Sequence, residues 1–343
     1  MKYLETIGEP LKEYFTILEP NFPNWLNDYI NTKELLHQKD ISVTCGKNYS
    51  QLFSIYYPYT SLDHSVGVAL IIWHFTKDKK ETLAGLFHDI ATPAFKHCID
   101  FLNGDYMEQE TTEDLTTTII KNSPEIMELL NKEHIKVSEV DNYHIYPIAD
   151  NDTPKLSADR LEYSLSNALF THGIMNKEEI KAIYSDIEIM TNEENKVELG
   201  FKTEAIAKNF VRLTSKLSLE YREDKIRYSM QFLADIIKAL NENHIIKKSD
   251  LYKLTESEII EIIRNSKWQD IFSTWENATT IYSSKTLPQN VYYVHHGAKI
   301  RYIDPLVNGN RISKINEEAN KMIEDNLAYN MNNYVYLPFS FNK

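Results

Sequence analysis

Two histidines and two aspartates far apart along the chain, His64, His88, Asp89 and Asp159, are the residues best suited to carry chemistry. Imidazole nitrogen and carboxylate oxygen together suit borderline to hard divalent ions, so Mn, Fe, Ni, Co, Zn and Mg are all candidates. Neither cysteine belongs to the set, which argues against a structural thiolate zinc site. Four such ligands on an ion that prefers six leave room for water and for a phosphate oxygen. The chemistry expected is metal-assisted attack of water on a phosphate ester.

Helices must position these groups. His88 and Asp89 end the apolar run Glu81-Thr82-Leu83-Ala84-Gly85-Leu86-Phe87. Adjacent helical residues point about 100° apart, so both reach one ion only where the helix stops. Ala91-Thr92-Pro93 supplies that stop. His64 lies in Leu62-Asp63-His64-Ser65-Val66-Gly67-Val68-Ala69. Asp159 follows the turn cluster Asp150-Asn151-Asp152-Thr153-Pro154. Apolar residues recur at three and four spacing in Val66-Ala69-Leu70-Trp73, in Leu161-Leu165-Ala168-Leu169 and from Tyr228 to Leu240. Glycine is scarce, at nine, so few hairpin turns can be written. A mostly α fold is expected, with a small β element near Asn290 to Tyr302, where Val291, Tyr292, Tyr293 and Val294 favour strand.

The chain has 343 residues, 42% of them hydrophobic, enough for a large core. We expect an N-terminal helical arm over 1–50, a catalytic core over 51–175 and a C-terminal helical region packed on it over 176–343. A formal net charge of -13 speaks against long nucleic acid or an anionic membrane as partner. It leaves room for a small basic pocket holding a nucleotide or another phosphorylated small molecule. Two cysteines imply no disulfide framework, and with no leader-like start the expected location is the cytoplasm. The most apolar run, Val66 to Phe75, is too short to span a bilayer.

The stretch Leu86-Phe87-His88-Asp89-Ile90-Ala91-Thr92-Pro93-Ala94-Phe95-Lys96-His97 resembles the signature of the HD phosphohydrolase superfamily. Its deoxynucleoside triphosphate triphosphohydrolase branch is the most similar. Tyr57-Pro58 with His64-Ser65-Val66-Gly67-Val68-Ala69 resembles one further block of that branch, and Asp159-Arg160-Leu161-Glu162-Tyr163-Ser164-Leu165 another. Phe170-Thr171-His172-Gly173 echoes the segment that follows. The resemblance covers residues 50–175 firmly and the remainder loosely. It implies an HD-domain helical bundle with additional C-terminal helices. It also implies that His64, His88, Asp89 and Asp159 hold the metal and that His97 and Asp100 form an acid/base pair. Arg160 and Tyr163 match positions that contact phosphate and sugar, with Arg160 also a cation at the reacting phosphate. A homo-oligomer is expected by resemblance alone.

Departures from the pattern matter. Ser61 stands where the family often has an arginine, Ala91-Thr92 where it has Gly-His, Thr112 where it has a second catalytic histidine, and Ser166-Asn167 where it has Arg-Asp. Lys96 is the nearest candidate replacement among the substrate-binding groups, and Lys121, His172 and the pair His295-His296 are others. The metal cage is thus complete while part of the phosphate grip is changed. The expected activity is metal-dependent hydrolysis of a nucleotide, either a (d)NTP giving nucleoside and tripolyphosphate or a nucleoside monophosphate or phosphodiester. The competing expectation is a nucleotide sensor or interaction protein on an altered scaffold.

Overall fold

The computed structural model describes residues 1–103 and 115–341. Helices dominate, and the strands among the described residues fall into two small sheets. At the centre runs the Ser61–Thr76 helix, buried at every position from Ser61 to Ile72. A helix apolar on all sides belongs in such a place. A capping box starts it: the Asp63 N–H donates to Thr60 Oγ1, and the Thr60 N–H donates to the Asp63 carboxylate.

The Lys79–Phe87 helix, N-capped by Asp78, packs along this central helix. Gly85 makes the approach close, since a Cβ there would sit 2.2 Å from Ile72 Cδ1. The Ala158–Ser166 helix, capped by Ser157, also packs on the central helix and runs on into a π-helical turn, Asn167–Thr171.

Two hydrophobic cores result. The first gathers the Glu9–Leu18 helix, the central helix, the Lys79–Phe87 and Ala158–Ser166 helices and the buried face of an antiparallel hairpin, Ile187–Thr191 with Val197–Phe201. That hairpin is extended by parallel pairing of Val197–Phe201 with Leu306–Val307, which pairs in turn with Asn310–Arg311. The second core holds Phe95, Cys98 and Phe101 against the Asp224–Glu242, Glu256–Arg264 and Gln269–Glu276 helices. A three-stranded sheet, ordered Tyr282–Ser284, Tyr334–Tyr336, Tyr293–Val294, adds Val294 and Val335 to it. Ile90 belongs to the first core and Ala94 to the second. The segment right after His88-Asp89 therefore crosses between the two. No helix among the described residues is long and apolar enough to cross a membrane.

Candidate metal centre

His64 faces the centre from the first turn of the central helix. Its Nδ1–H donates to the carboxylate of Glu162, which turns Nε2 toward the centre. Glu162 is fully buried and is satisfied by hydroxyls: Tyr14 and Tyr59 donate to Oε1 at 3.0 and 2.6 Å, and Ser166 donates to Oε2 at 3.2 Å. Gly67, one turn beyond His64, makes room for it. A Cβ at Gly67 would lie 2.7 Å from Glu162 Oε1 and 2.8 Å from its Cγ.

His88 caps the end of the Lys79–Phe87 helix. Its Nδ1–H donates to the Gly85 carbonyl at 2.7 Å, so its Nε2 also turns toward the centre. The two Nε2 atoms lie 3.2 Å apart. Asp159 Oδ1 is 3.1 Å from His64 Nε2 and 3.8 Å from His88 Nε2, while Asp89 Oδ2 is 4.0 and 3.7 Å from the same atoms. His64, His88 and Asp89 offer ligand atoms within 4.8 Å of one another. Asp159 joins them through its short approach to both imidazoles.

The electrostatics fit a cation. Burial favours the neutral form of His64, yet the Glu162 charge, with hydrogen bonds to Asp159 and Glu162, pushes its pKa up to about 10. Burial opposes ionisation of Asp89, but Lys96 first, then His88 and His64, hold it well below the usual carboxylate range. Asp159 is likewise lowered against burial, by its hydrogen bond to His64 and the charges of both histidines. A point that stabilises positive charge so strongly, with two imidazole Nε2 atoms and two carboxylates gathered around it, suits a divalent ion that takes the place of a proton.

The loop after Asp89 is held from several sides. Thr92 Oγ1 donates to Asp89 Oδ1 at 3.0 Å. Gln38, fully buried, donates to the carbonyls of Ile90 and Thr92 at 3.2 and 3.4 Å. Phe95 and Lys96 both adopt positive φ, at 66° and 43°. This bend turns Lys96 inward, where its ammonium meets Asp89 Oδ2 at 2.5 Å and Ser61 Oγ at 3.2 Å. A cation thus stands beside Ser61, the position where the resembled family often has arginine. Beneath the bend, Glu256 Oε1 accepts from the N–H groups of Phe95 (3.1 Å) and Ser42 (3.3 Å). Burial pushes the Glu256 carboxyl up to about 8.

His97 donates through Nδ1 to Asp100 Oδ2 at 2.9 Å, with Asp100 fully buried and His97 partly exposed. Arg160 is engaged elsewhere than the metal centre: its Nη1 donates to Asn151 Oδ1 at 2.6 Å and to the Lys155 carbonyl at 3.0 Å, and Nη2 lies 3.6 Å from Asp150. Tyr163, one turn after Asp159, lies under the Arg301 guanidinium, 5.9 Å from ring centre. Burial raises its phenol pKa. Thr112 lies outside the described residues. The sequence reading missed Glu162, Gln38 and Glu256. The signal that could have found Glu162 was its spacing, three residues after Asp159 on the same helix.

No family model matches the chain. The uncharacterized protein YdhJ of Bacillus subtilis is 27% identical over 252 residues, which span 72% of this chain and 74% of YdhJ. The metal-dependent phosphohydrolase cns2 of Cordyceps militaris is 29% identical over 133 residues, 37% of this chain and 36% of the fungal protein. A crystal structure of a hypothetical protein from Aquifex aeolicus is similar over 91% of this chain and 92% of that one, with a TM-score of 0.59 and 17% identity. That likeness concerns the fold alone. The partial homology to a metal-dependent phosphohydrolase and the His64, His88, Asp89 group together suggest hydrolase activity with a divalent metal.

Proposed function

We propose that this protein is a metal-dependent phosphohydrolase of the HD type that acts on a nucleotide. The observation that carries the reading is the convergence of two imidazole Nε2 atoms, 3.2 Å apart, with Asp89 and Asp159. His64, His88, Asp89 and Asp159 would hold the ion. When bound, a divalent ion supplies Lewis acidity toward water and a phosphate oxygen.

The chain's own residues do the rest. Glu162 and Gly85 fix the ring orientations of His64 and His88. Lys96, beside Asp89 and Ser61, places a positive charge where phosphate oxygens gather. His97, oriented by Asp100, gives a proton to the leaving oxygen as the P–O bond breaks. Arg160, engaged with Asn151 and Lys155, in this reading steadies the turn that leads into the Asp159 helix, with Tyr163 facing the nucleoside.

The test is turnover of a pooled set of NTPs, dNTPs, monophosphates and cyclic dinucleotides with Mn, Fe or Mg, read by chromatography. Nucleoside with tripolyphosphate identifies the triphosphohydrolase reaction, and nucleoside with inorganic phosphate from a monophosphate incubated alone identifies monophosphate hydrolysis. Binding across the set without turnover would replace the enzyme reading with a nucleotide sensor.

A further inference from the structure

A cation from the C-terminal region stands over the helix that carries Asp159. Tyr163 follows Asp159 by four residues in the Ala158–Ser166 helix, so the two share one face, with Cβ atoms about 5–6 Å apart. The Arg301 guanidinium lies over the Tyr163 ring, 5.9 Å from its centre, and Arg301 is partly exposed. Arg160, the neighbouring cation, is turned to Asn151, Lys155 and Asp150. Electrostatics agree with this placement: burial raises the Tyr163 phenol, and the charge opposing it most is Arg301, ahead of Arg160. The cation one helical turn from a metal ligand is therefore Arg301.

Arg301 lies in a stretch without regular secondary structure, residues 295–305, yet its main chain is held at several points. The Arg301 carbonyl accepts from Asn326 Nδ2 at 3.0 Å. Ile303 is buried in the first core. The Asp304 N–H donates to the Pro154 carbonyl at 2.9 Å, in the turn ahead of the Asp159 helix. Asn326 is itself buried and is held by Arg222, whose Nη2 donates to its carbonyl at 2.9 Å and to its side-chain oxygen. Arg222 is fully buried and makes no ion pair among the described residues; its Nε donates to the Ser218 carbonyl at 2.9 Å. The hydrogen bonds of this guanidinium thus fix Asn326, and through Asn326 the backbone of Arg301. A side chain mounted on so constrained a backbone loses less freedom when it binds. Tyr221, next to Arg222, has a buried hydroxyl with no hydrogen-bond partner among the described residues, and the Arg301 charge reaches it. A phosphate oxygen would give that donor an acceptor.

We propose that Arg301 anchors the substrate's phosphate beside the metal centre, with Asn326 and Arg222 as its positioning residues, in the role that the resemblance assigned to Arg160. The inference rests on the phosphohydrolase reading for what is hydrolysed, not for what is bound. Lys96 meets the phosphate from the loop side and Arg301 from the helix side. The planar fork of a guanidinium donates to two phosphate oxygens at once, which an ammonium does not match.

The experiment uses the full-length protein, wild type against Arg301→Gln, Arg301→Lys and Asn326→Ala. Steady-state kinetics are measured on whichever of the pooled nucleotides the wild type turns over fastest. Calorimetric binding of inorganic pyrophosphate in EDTA gives a readout independent of metal and turnover. Arg301→Gln should raise KM and weaken pyrophosphate binding about ten-fold or more, with metal content kept and kcat within about three-fold of wild type. Arg301→Lys should recover part of both. Asn326→Ala removes no charge yet should raise KM about three-fold. If nothing is hydrolysed but pyrophosphate binding still weakens ten-fold in Arg301→Gln, the phosphohydrolase reading fails and the anchor stands. If wild type and Arg301→Gln bind pyrophosphate alike, tightly or not at all, the anchor is overturned, while turnover of the pooled nucleotides leaves the hydrolase standing. Should Arg301→Gln fail to fold, Arg301→Lys and Asn326→Ala carry the test, and unchanged KM and pyrophosphate binding in both overturn the anchor.

Discussion

His64 and Asp159 stand on helices packed into the first core, whereas Asp89, Lys96 and His97 ride on a bent loop that the second core holds from beneath. The helix-borne half is fixed by close packing: Gly67 against Glu162, Gly85 against Ile72, and a buried carboxylate satisfied by three hydroxyls. The loop-borne half depends on hydrogen bonds to its backbone from Gln38 and Glu256, side chains distant in sequence. A rigid half suits an ion that needs fixed ligand directions. A half built on a loop suits the part that meets different substrates.

This contrast makes graded predictions. Removing a helix-side ligand should have the largest effect. His64→Ala or Asp159→Asn should lose bound metal, measured by elemental analysis of purified protein, and lose turnover on the order of 10³-fold or more. On the loop side, His97→Asn should keep full metal content while kcat falls about 10²-fold or more. Metal loss in His97→Asn would break the division of labour between the halves. Glu162→Gln probes how the helix side is oriented. Metal affinity should drop about 10- to 100-fold, with a change in Tm too small to signal a collapsed fold.

The smallest effect concerns Glu256 and the loop's support. Its folded pKa, about 8, is raised above the usual carboxyl value of 4.5 by burial. The fold therefore favours the protonated form. The contribution is fully present below the unfolded pKa and is lost as pH rises toward about 8. Glu256→Gln keeps the acceptor for Phe95 and Ser42 without the titration. Its Tm relative to wild type should rise by a few degrees between pH 5 and pH 9, followed by thermal melts across that range. A difference that stays flat with pH would show that Glu256 titrates alike in the folded and unfolded chain, with no raised pKa in the fold.

Much of the helix side was legible because its signals are local. Apolar spacing gave the helices around His64 and Asp159, and the stop at Ala91-Thr92-Pro93 agrees with a helix ending at Phe87. Of the stretch Asn290 to Tyr302, where strand was expected on Val291, Tyr292, Tyr293 and Val294, only Tyr293–Val294 forms a strand. The hairpin of Ile187–Thr191 and Val197–Phe201 was not expected. Its turn uses Asn195 at φ 59°, with no Asn-Gly pair to announce it. The supports of the loop were beyond reach for a different reason. Gln38 and Glu256 act on the backbone of residues 90–95 from 52 and 161 positions away. A bond from a side chain to a distant main chain leaves no pattern in residue type or spacing. Lys96 was legible as a candidate cation, but its approach to Ser61 depends on two consecutive residues with positive φ.

The most direct measurement is anomalous diffraction from crystals grown with Mn(II), recorded at the manganese edge. One strong peak is expected within about 2.0–2.3 Å of His64 Nε2, His88 Nε2 and carboxylate oxygens of both Asp89 and Asp159. An empty anomalous map at that point in manganese-saturated crystals, or a peak held by other residues, would contradict it.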